Sequence, residues 1–336
     1  MYYDELVATM DLLLQDGKGI LAADESNGTI GKRFAKIGID NTEENRCDYR
    51  VLLAKTDGLE QFVNGVILFE ETFNQVDENG ISIAQLFAKK GILPGIKVDK
   101  GLYTLPNTED EKATEGMDGL TERLTHFKKL GAKFAKWRNV YSITESTPSI
   151  AAIKTGADIL ARYAATCQSV GIVPIVEPEI LMDGDHSIEH CAQATEMVLH
   201  EVFRALFVHQ VELENIVLKP SMITCGKSTK PFSSPEEVAD YTISIFRNMV
   251  PAAVPTINFL SGGQTPQEAT ANLNAINSTG YQPWTLSFSF GRALQEDCLQ
   301  QWKGQKANVP AAQEALLKRA RLNSTACFGE YESSME

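Results

Sequence analysis

A single lysine, Lys219, ends a short apolar run in the second half of the chain. The run is Ile-Val-Leu at residues 216–218, and Pro220 follows the lysine. An apolar run of this length, closed by a proline, is typical of a buried strand. Burial lowers the pKa of an amine and so frees the amine as a nucleophile. A buried ion pair with Glu177 or Glu179 would explain the same position, so the lysine alone leaves both interpretations open.

Polar residues end most of the other apolar runs as well. Strand side chains alternate between two faces, so Lys97 and Asp99 point the same way. One charged residue at a strand end is usually the first solvated position of a loop. Seven such ends among eight predicted strands, with both signs mixed, instead indicate a shared site in which the groups shift one another's pKa values. The residues concerned are Asp24, Lys97, Asp99, Lys136, Arg138, Glu177, Glu179, Lys219, Ser261 and Arg292.

Two glycine-containing segments indicate a phosphate site. Ser261-Gly262-Gly263 follows the seventh predicted strand, and Gly291-Arg292 follows the eighth. Glycine lets the backbone N–H groups approach an anion closely, and arginine adds a bidentate hydrogen-bond donor. Lys97, Lys136 and Arg138 offer charge for a second phosphate. The predicted ligand is a small molecule with one or two phosphates.

Predicted strands and helices alternate along the whole chain, and these elements must position the residues named above. Helices with capping boxes begin near Ser234 and Thr265, and no glycine-rich phosphate loop follows the first strand. Eight strands alternating with helices in an undivided chain predict an α/β fold, a single (β/α)8 TIM barrel with parallel strands. We expect one domain over residues 1–336, with an N-terminal helix at about 2–15 and a short tail at about 328–336. The predicted strands are 19–23, 65–69, 95–98, 132–135, 172–176, 216–218, 256–260 and 285–290.

Composition excludes several classes of partner. The 336 residues carry a net charge of -13, which disfavours binding to nucleic acid or to an anionic membrane surface. No segment is apolar for long enough to span a bilayer. Six scattered cysteines without a paired motif predict free thiols in a reducing compartment, and we therefore expect a cytoplasmic protein.

A metal site is not expected. His186 and His190 have helical spacing that would suit a divalent ion, but they follow the acidic segment 183–185 at the start of a helix. We interpret them as surface residues and expect neither a metal nor another cofactor.

Seven motifs together resemble class I fructose-bisphosphate aldolase. The resemblance extends from about residue 2 to about residue 330. It implies the TIM barrel predicted above, usually assembled as a homotetramer, and phosphorylated sugars as substrates. The motifs are GILAADES (19–26), GIKVDKG (95–101), FAKWR (134–138), VPIVEPEI (173–180), LKP (218–220), FLSGGQ (259–264) and GRAL (291–294).

The resemblance also implies a catalytic role for five residues. Lys219 resembles the lysine that forms an imine with the C2 ketone of fructose 1,6-bisphosphate. Glu177 is similar to the acid that removes the hydroxyl as water, and Asp24 to the base that deprotonates the C4 hydroxyl. Lys136 would hold both carboxylates in their charge states, and Glu179 would support Lys219 and Lys136.

Ten further residues resemble the family's substrate-binding positions. Lys97 and Arg138 match the C6-phosphate end, and the others match or lie near the C1-phosphate end. These residues are Ser26, Arg33, Lys97, Arg138, Ser261, Gly262, Gly263, Ser289, Gly291 and Arg292.

The sequence departs from many family members at its C-terminal end. Those members carry a terminal tyrosine that assists proton transfer at C3, whereas this sequence ends at Tyr331-Glu-Ser-Ser-Met-Glu336. Tyr331, Glu177 or a water could move that proton. Sugar 1-phosphates and sedoheptulose 1,7-bisphosphate are alternative substrates. A transaldolase-like enzyme and a non-catalytic phosphate-binding scaffold are alternative functions.

Overall fold

The computed structural model describes residues 2–336, and eight of its strands close into a parallel barrel. The barrel strands are β1 (Gly19–Ala23), β2 (Val63–Leu68), β3 (Leu93–Lys97), β6 (Phe134–Tyr141), β7 (Val173–Ile180), β8 (Val217–Leu218), β9 (Thr256–Phe259) and β10 (Thr285–Phe290). Around the barrel the order is β1-β10-β9-β8-β7-β6-β3-β2, so strands that follow one another along the chain are neighbours. The predicted parallel (β/α)8 barrel is confirmed.

Helices surround the barrel, and their starts follow the capping signals of the sequence. The Ser234 and Thr265 capping boxes both form, each with proline in the first turn. The helices are α1 (Tyr3–Leu13), α2 (Asn27–Ala35), α3 (Glu43–Ala54), α4 (Glu70–Phe73), α5 (Ile83–Lys89), α6 (Leu120–Lys129), α7 (Ile150–Ser169), α8 (Ile188–Val208), α9 (Pro235–Met249), α10 (Pro266–Asn277), α11 (Arg292–Trp302) and α12 (Val309–Cys327).

Two barrel strands run further than the sequence predicts. The strand expected at 132–135 is Phe134–Tyr141, and the one expected at 172–176 is Val173–Ile180. The charged residues in these stretches suggested the start of a loop. They instead continue the two strands, which pair in register along eight residues each. Inward-facing charges are tolerated there because the barrel opens into a polar cavity at that end.

A short antiparallel hairpin, which is not among the predicted elements, follows β3. Its strands are β4 (Leu102–Thr104) and β5 (Lys112–Thr114), and the β4 residues are exposed. The segment between β3 and α6 therefore contains ordered structure at the rim of the barrel.

The barrel interior is filled with large side chains that require small neighbours. A Cβ atom built on Gly95 would lie 2.1 Å from Cε2 of Phe134, and one built on Gly19 would lie 2.6 Å from the ring of Phe288. Both rings are fully buried. Glycine is thus required at these strand positions because aromatic rings occupy the space that a side chain would need.

Helix α1 packs on the end of the barrel opposite the polar residues. Leu6, Met10 and Leu13, at helical spacing, are buried against the lower barrel interior, including Phe134. Asn64 of β2 donates to the backbone oxygen of Leu13 at 2.8 Å and fixes the end of the helix. With that end filled by apolar side chains, ligands can enter the barrel only from the opposite side.

Candidate active site

A cavity of about 710 Å³ opens at the carboxyl ends of the barrel strands. Fourteen of the fifteen predicted site residues line it. Gly263 is the exception: a Cβ atom there would lie 2.9 Å from the sulfur of Met182, so this glycine allows close packing behind the loop. In barrel enzymes the chemistry occurs at this end of the strands.

Lys219, at the end of β8, lies inside the cavity wall and is 3 % exposed. Its Nζ is 3.3 Å from Oε1 of Glu177. Burial lowers the pKa of Lys219 from its ordinary value; the nearby Lys136 ammonium lowers it further, while Glu177 acts in the opposite direction. The Lys219 amine is therefore ion-paired and at the same time shifted towards its uncharged form.

A second lysine joins the two carboxylates of the site. Nζ of Lys136 is 2.9 Å from Oδ2 of Asp24 and 3.1 Å from Oε2 of Glu177. Burial alone would lower the pKa of Lys136, but these two carboxylates raise it well above its ordinary value. Burial alone would likewise raise the pKa of Asp24, yet Lys136 and Lys219 hold it well below its ordinary value. Asp24 and Lys136 are therefore both charged at neutral pH.

Glu179, which we expect to support Lys219 and Lys136, forms its ion pair with Arg138. Nε of Arg138 donates to Oε2 of Glu179. Burial would raise the pKa of Glu179, but Arg138 lowers it below its ordinary value. Lys97 is similarly paired, with its Nζ donating to Oδ1 of Asp99. These cations at the mouth are thus neutralised by carboxylates before any ligand binds.

The two glycine-containing loops meet at the opposite side of the cavity. Arg292, the first residue of α11, donates to the backbone oxygen of Gly262 at 2.7 Å, and Gly262 has a φ of 48°. A Cβ atom on Gly291 would lie 3.3 Å from the Ala22 carbonyl oxygen. Ser289 is 1 % exposed, and its hydroxyl has no hydrogen-bond partner among residues 2–336. Glycine backbone, an arginine and the N-terminal end of α11 form a site suited to an anion.

Ser26 immediately precedes α2, Arg33 lies within it, and both residues line the cavity. The Ser26 hydroxyl is the N-cap of α2, accepting from the backbone N–H of Thr29. Arg33 donates to Glu25, a carboxylate that we did not predict as part of the site. Glu25 directly follows Asp24 in the sequence, and this adjacency was the signal available.

Neither the histidines nor Tyr331 lie in this cavity. His186 and His190 line a separate cavity of about 630 Å³. His190 is exposed as expected, but the interpretation of His186 as a surface residue is wrong, because its side chain is buried. No group of three or more potential metal ligands is found in residues 2–336. The Tyr331 hydroxyl donates to Oε1 of Glu336 at 2.9 Å. Glu336 in turn accepts from both terminal nitrogens of Arg319, each at 2.7 Å.

Comparison with known proteins identifies the family. The family model described as fructose-bisphosphate aldolase class-I matches residues 5–336. The chain belongs to the class I fructose-bisphosphate aldolase family. It is 52 % identical to fructose-bisphosphate aldolase C of Rattus norvegicus over 324 residues, covering 96 % of this chain and 89 % of that protein. It is also 52 % identical to aldolase 1 of Toxoplasma gondii over 329 residues, covering 97 % and 91 %.

A solved aldolase structure has the same fold. The aldolase of Plasmodium falciparum, crystallised with TRAP and a small-molecule inhibitor, superposes with a TM-score of 0.97 at 50 % identity, covering 99 % of this chain and 96 % of that one. The predicted family is therefore confirmed, and the chain is a lyase. Among residues 2–336, no helix has the length and apolar character needed to cross a bilayer.

Proposed function

We propose that this aldolase reversibly cleaves fructose 1,6-bisphosphate to dihydroxyacetone phosphate and glyceraldehyde 3-phosphate through an imine on Lys219. One observation supports this above the others. A buried lysine with a lowered pKa lies 3.3 Å from a carboxylate, and that carboxylate shares the Lys136 ammonium with Asp24. A nucleophile, a proton carrier and a base are thus within reach of one bound sugar.

Imine formation uses Lys219 and Glu177. The Lys219 ammonium first passes a proton to Glu177, its ion-pair partner. The uncharged amine then attacks the C2 ketone, and a proton moves from the nitrogen to the C2 oxygen to give a carbinolamine. Glu177 then donates a proton to the C2 hydroxyl, which leaves as water while the nitrogen lone pair forms the C=N bond. The 3.3 Å separation of Nζ and Oε1 is suitable for this transfer because both groups act on atoms attached to C2.

Bond cleavage uses Asp24. Its carboxylate accepts the C4 hydroxyl proton, the C4 oxygen forms an aldehyde, and the electrons of the C3–C4 bond move into the protonated imine to give an enamine. Protonation at C3 and hydrolysis of the imine then release the second product and restore Lys219. Lys136 keeps Asp24 ionised through its 2.9 Å contact, so that the base is ready at neutral pH.

The C3 proton is handled inside the barrel in this proposal, by Glu177 or a water. Tyr331 is 8 % exposed, does not line the cavity, and donates its hydroxyl hydrogen bond to Glu336. Docking of residues 331–336 against Arg319 supports this assignment, because a tyrosine held there is occupied by a partner outside the cavity.

Phosphate binding divides between the two sides of the cavity. Ser261, Gly262, Gly291 and Arg292 offer backbone and guanidinium donors to the C1 phosphate, with Ser289, Ser26 and Arg33 nearby. Lys97 and Arg138 serve the C6 phosphate after release from their carboxylates. Since only the C1 end is common to other ketose phosphates, we include sedoheptulose 1,7-bisphosphate and sugar 1-phosphates as slower substrates.

The setting of the enzyme is also part of this proposal. All six cysteines are free thiols, which supports a reducing, cytoplasmic location, where the reaction serves glycolysis and gluconeogenesis. Exposed apolar residues at the end of α8, with Phe207 84 % and Val208 60 % exposed, support a homo-oligomer, a tetramer by resemblance. We treat residues 1–336 as one domain because a single barrel accounts for residues 19–290 and the flanking helices pack on it.

Borohydride trapping tests the mechanism. Dihydroxyacetone phosphate with sodium borohydride should leave a reduced, permanent adduct on Lys219, located by peptide mass spectrometry. Lys219→Met should abolish the adduct, whereas Lys227→Met, at an exposed lysine in the following loop, should not. An adduct on another lysine, or none in active wild-type enzyme, would refute the imine at Lys219.

A further inference from the structure

A buried carboxylate, Glu25, forms part of the cavity wall and accepts hydrogen bonds from residues of three helices. Its Oε1 accepts from Arg33 of α2 and from Nε2 of Gln295 of α11, the latter at 3.0 Å. Its Oε2 accepts from Nη2 of Arg50 of α3 at 2.7 Å. Both oxygens are therefore occupied, and one negative charge is shared by two arginines.

The two arginines differ in what they face. The Arg33 side chain is 21 % exposed and lines the cavity, whereas the Arg50 side chain is 4 % exposed and does not. Arg50 therefore has no route to a ligand, and its charge acts on Glu25 alone. Two cations and one carboxylate leave a net positive charge of about one, which is presented to the cavity by Arg33.

We propose that Arg50 is a positioning residue that sets the anion affinity of the cavity. By neutralising Glu25 from behind, it leaves the Arg33 charge available to a phosphate group. Without Arg50, the Glu25 carboxylate would neutralise the Arg33 charge completely, and the Glu25–Arg33 pair would present no net charge to the cavity. This inference rests on the proposed phosphate-binding function of the cavity.

Gln295 supports the geometry of this arrangement. It is 1 % exposed, and its Oε1 accepts from Nη1 of Arg50 at 3.4 Å and from the Tyr49 hydroxyl at 3.2 Å. Its Nε2 donates to the Ala22 carbonyl oxygen at 2.8 Å as well as to Glu25. The amide thus orients the Arg50 guanidinium and joins the end of β1 to α11, whose first turn borders the phosphate loops.

Two substitutions that change charge in opposite directions test the proposal, with the affinity for inorganic phosphate as the measured quantity. Arg50→Met removes a positive charge and should weaken phosphate binding about tenfold, the effect of a unit charge roughly 10 Å away at an effective dielectric constant of ~20. Glu25→Gln removes a negative charge and should tighten binding severalfold. The double variant should return close to wild type, and Arg50→Lys, which keeps the charge, should stay within about threefold of wild type.

A purely structural role predicts a different pattern. Loss of packing or order would weaken phosphate binding in both single variants, and the double variant would be worse than either. Arg46→Met is the matched control, because Arg46 lies one turn from Arg50 on α3 and pairs with Glu71 at 2.7 Å, outside the cavity lining. It should leave phosphate affinity unchanged.

The dissociation constant is measured by isothermal titration at fixed ionic strength, and again as the inhibition constant against cleavage. Unchanged affinity in folded Arg50→Met, or weaker binding in Glu25→Gln, would overturn the proposal. If Arg50→Met does not fold, Glu25→Gln and Arg50→Lys decide the question. Titration needs no turnover, so a failed charge pattern is distinguishable from a failed imine mechanism, which the borohydride adduct reports.

Discussion

Replacement of Lys136 by methionine removes the ammonium that joins the two carboxylates of the site. Its Nζ lies 2.9 Å from Asp24 and 3.1 Å from Glu177, and the side chain is only 5 % exposed. At an effective dielectric constant of ~20, each contact has a gross Coulomb energy of about 5 kcal/mol. Because removing one partner leaves a buried charge uncompensated, we expect the free energy of unfolding to fall by about 3–5 kcal/mol at neutral pH.

The turnover number kcat should also fall in Lys136→Met, because loss of the ammonium shifts the pKa values of Asp24 and Lys219. Without Lys136, the pKa of Asp24 should rise, because the effect of burial is then opposed mainly by Lys219 and Lys97. The pKa of Lys219 also rises, because the repulsion from Lys136 is lost while Glu177 remains. A base that has lost the lysine holding it in its charge state, together with a more protonated nucleophile, should lower kcat by about 10²–10⁴-fold.

The stability difference between wild type and Lys136→Met should depend on pH. In the wild type the lowered pKa of Asp24 stabilises the fold above the carboxyl range, and that stability is lost as pH falls through the folded pKa. The difference in unfolding free energy between wild type and Lys136→Met should therefore be largest near neutral pH and should narrow as pH falls towards about 3.

Urea unfolding and the pH profile of kcat measure both effects, with Lys133→Met as the control. Lys133 is exposed and immediately precedes the same strand, so the same chemical change there should alter neither quantity appreciably. A difference in unfolding free energy that stays constant over this pH range, or an unchanged kcat in Lys136→Met, would refute the reasoning.

Two further predictions concern the tail and the barrel interior. Tyr331→Phe should leave kcat unchanged and lower the free energy of unfolding by about 1 kcal/mol, since only a hydrogen bond to Glu336 is lost. A large fall in kcat would instead show that the tyrosine takes part in catalysis. Gly95→Ala should destabilise by about 1–3 kcal/mol in thermal unfolding, because its Cβ would lie 2.1 Å from the Phe134 ring. Gly28→Ala, whose Cβ meets nothing within 4 Å, should be neutral or slightly stabilising, and equal effects of the two changes would contradict this account of the packing.

The barrel and the location of its site could be predicted from sequence because both depend on local signals. Parallel barrel strands are buried on both faces, so each appears as a short continuous apolar run, and their polar ends collect at one rim. Arg50 could not be found in this way. It lies on a helix, α3, with no local signal of burial in the sequence around it, and its partner Glu25 is brought to it only by the tertiary fold.

The pairing of charges in the site depends on the register between β6 and β7, which local patterns do not contain. Across these strands Arg138 is opposite Glu177, and Lys136 is opposite Ile175. Each cation instead pairs with the carboxylate two residues further along β7, so that Arg138 pairs with Glu179 and Lys136 with Glu177. This offset follows from strand tilt, because side chains at one height in a closed barrel come from staggered positions of adjacent strands. Direct pairing would give Glu177 to Arg138; the diagonal leaves it to Lys136 and Lys219, where the chemistry requires it.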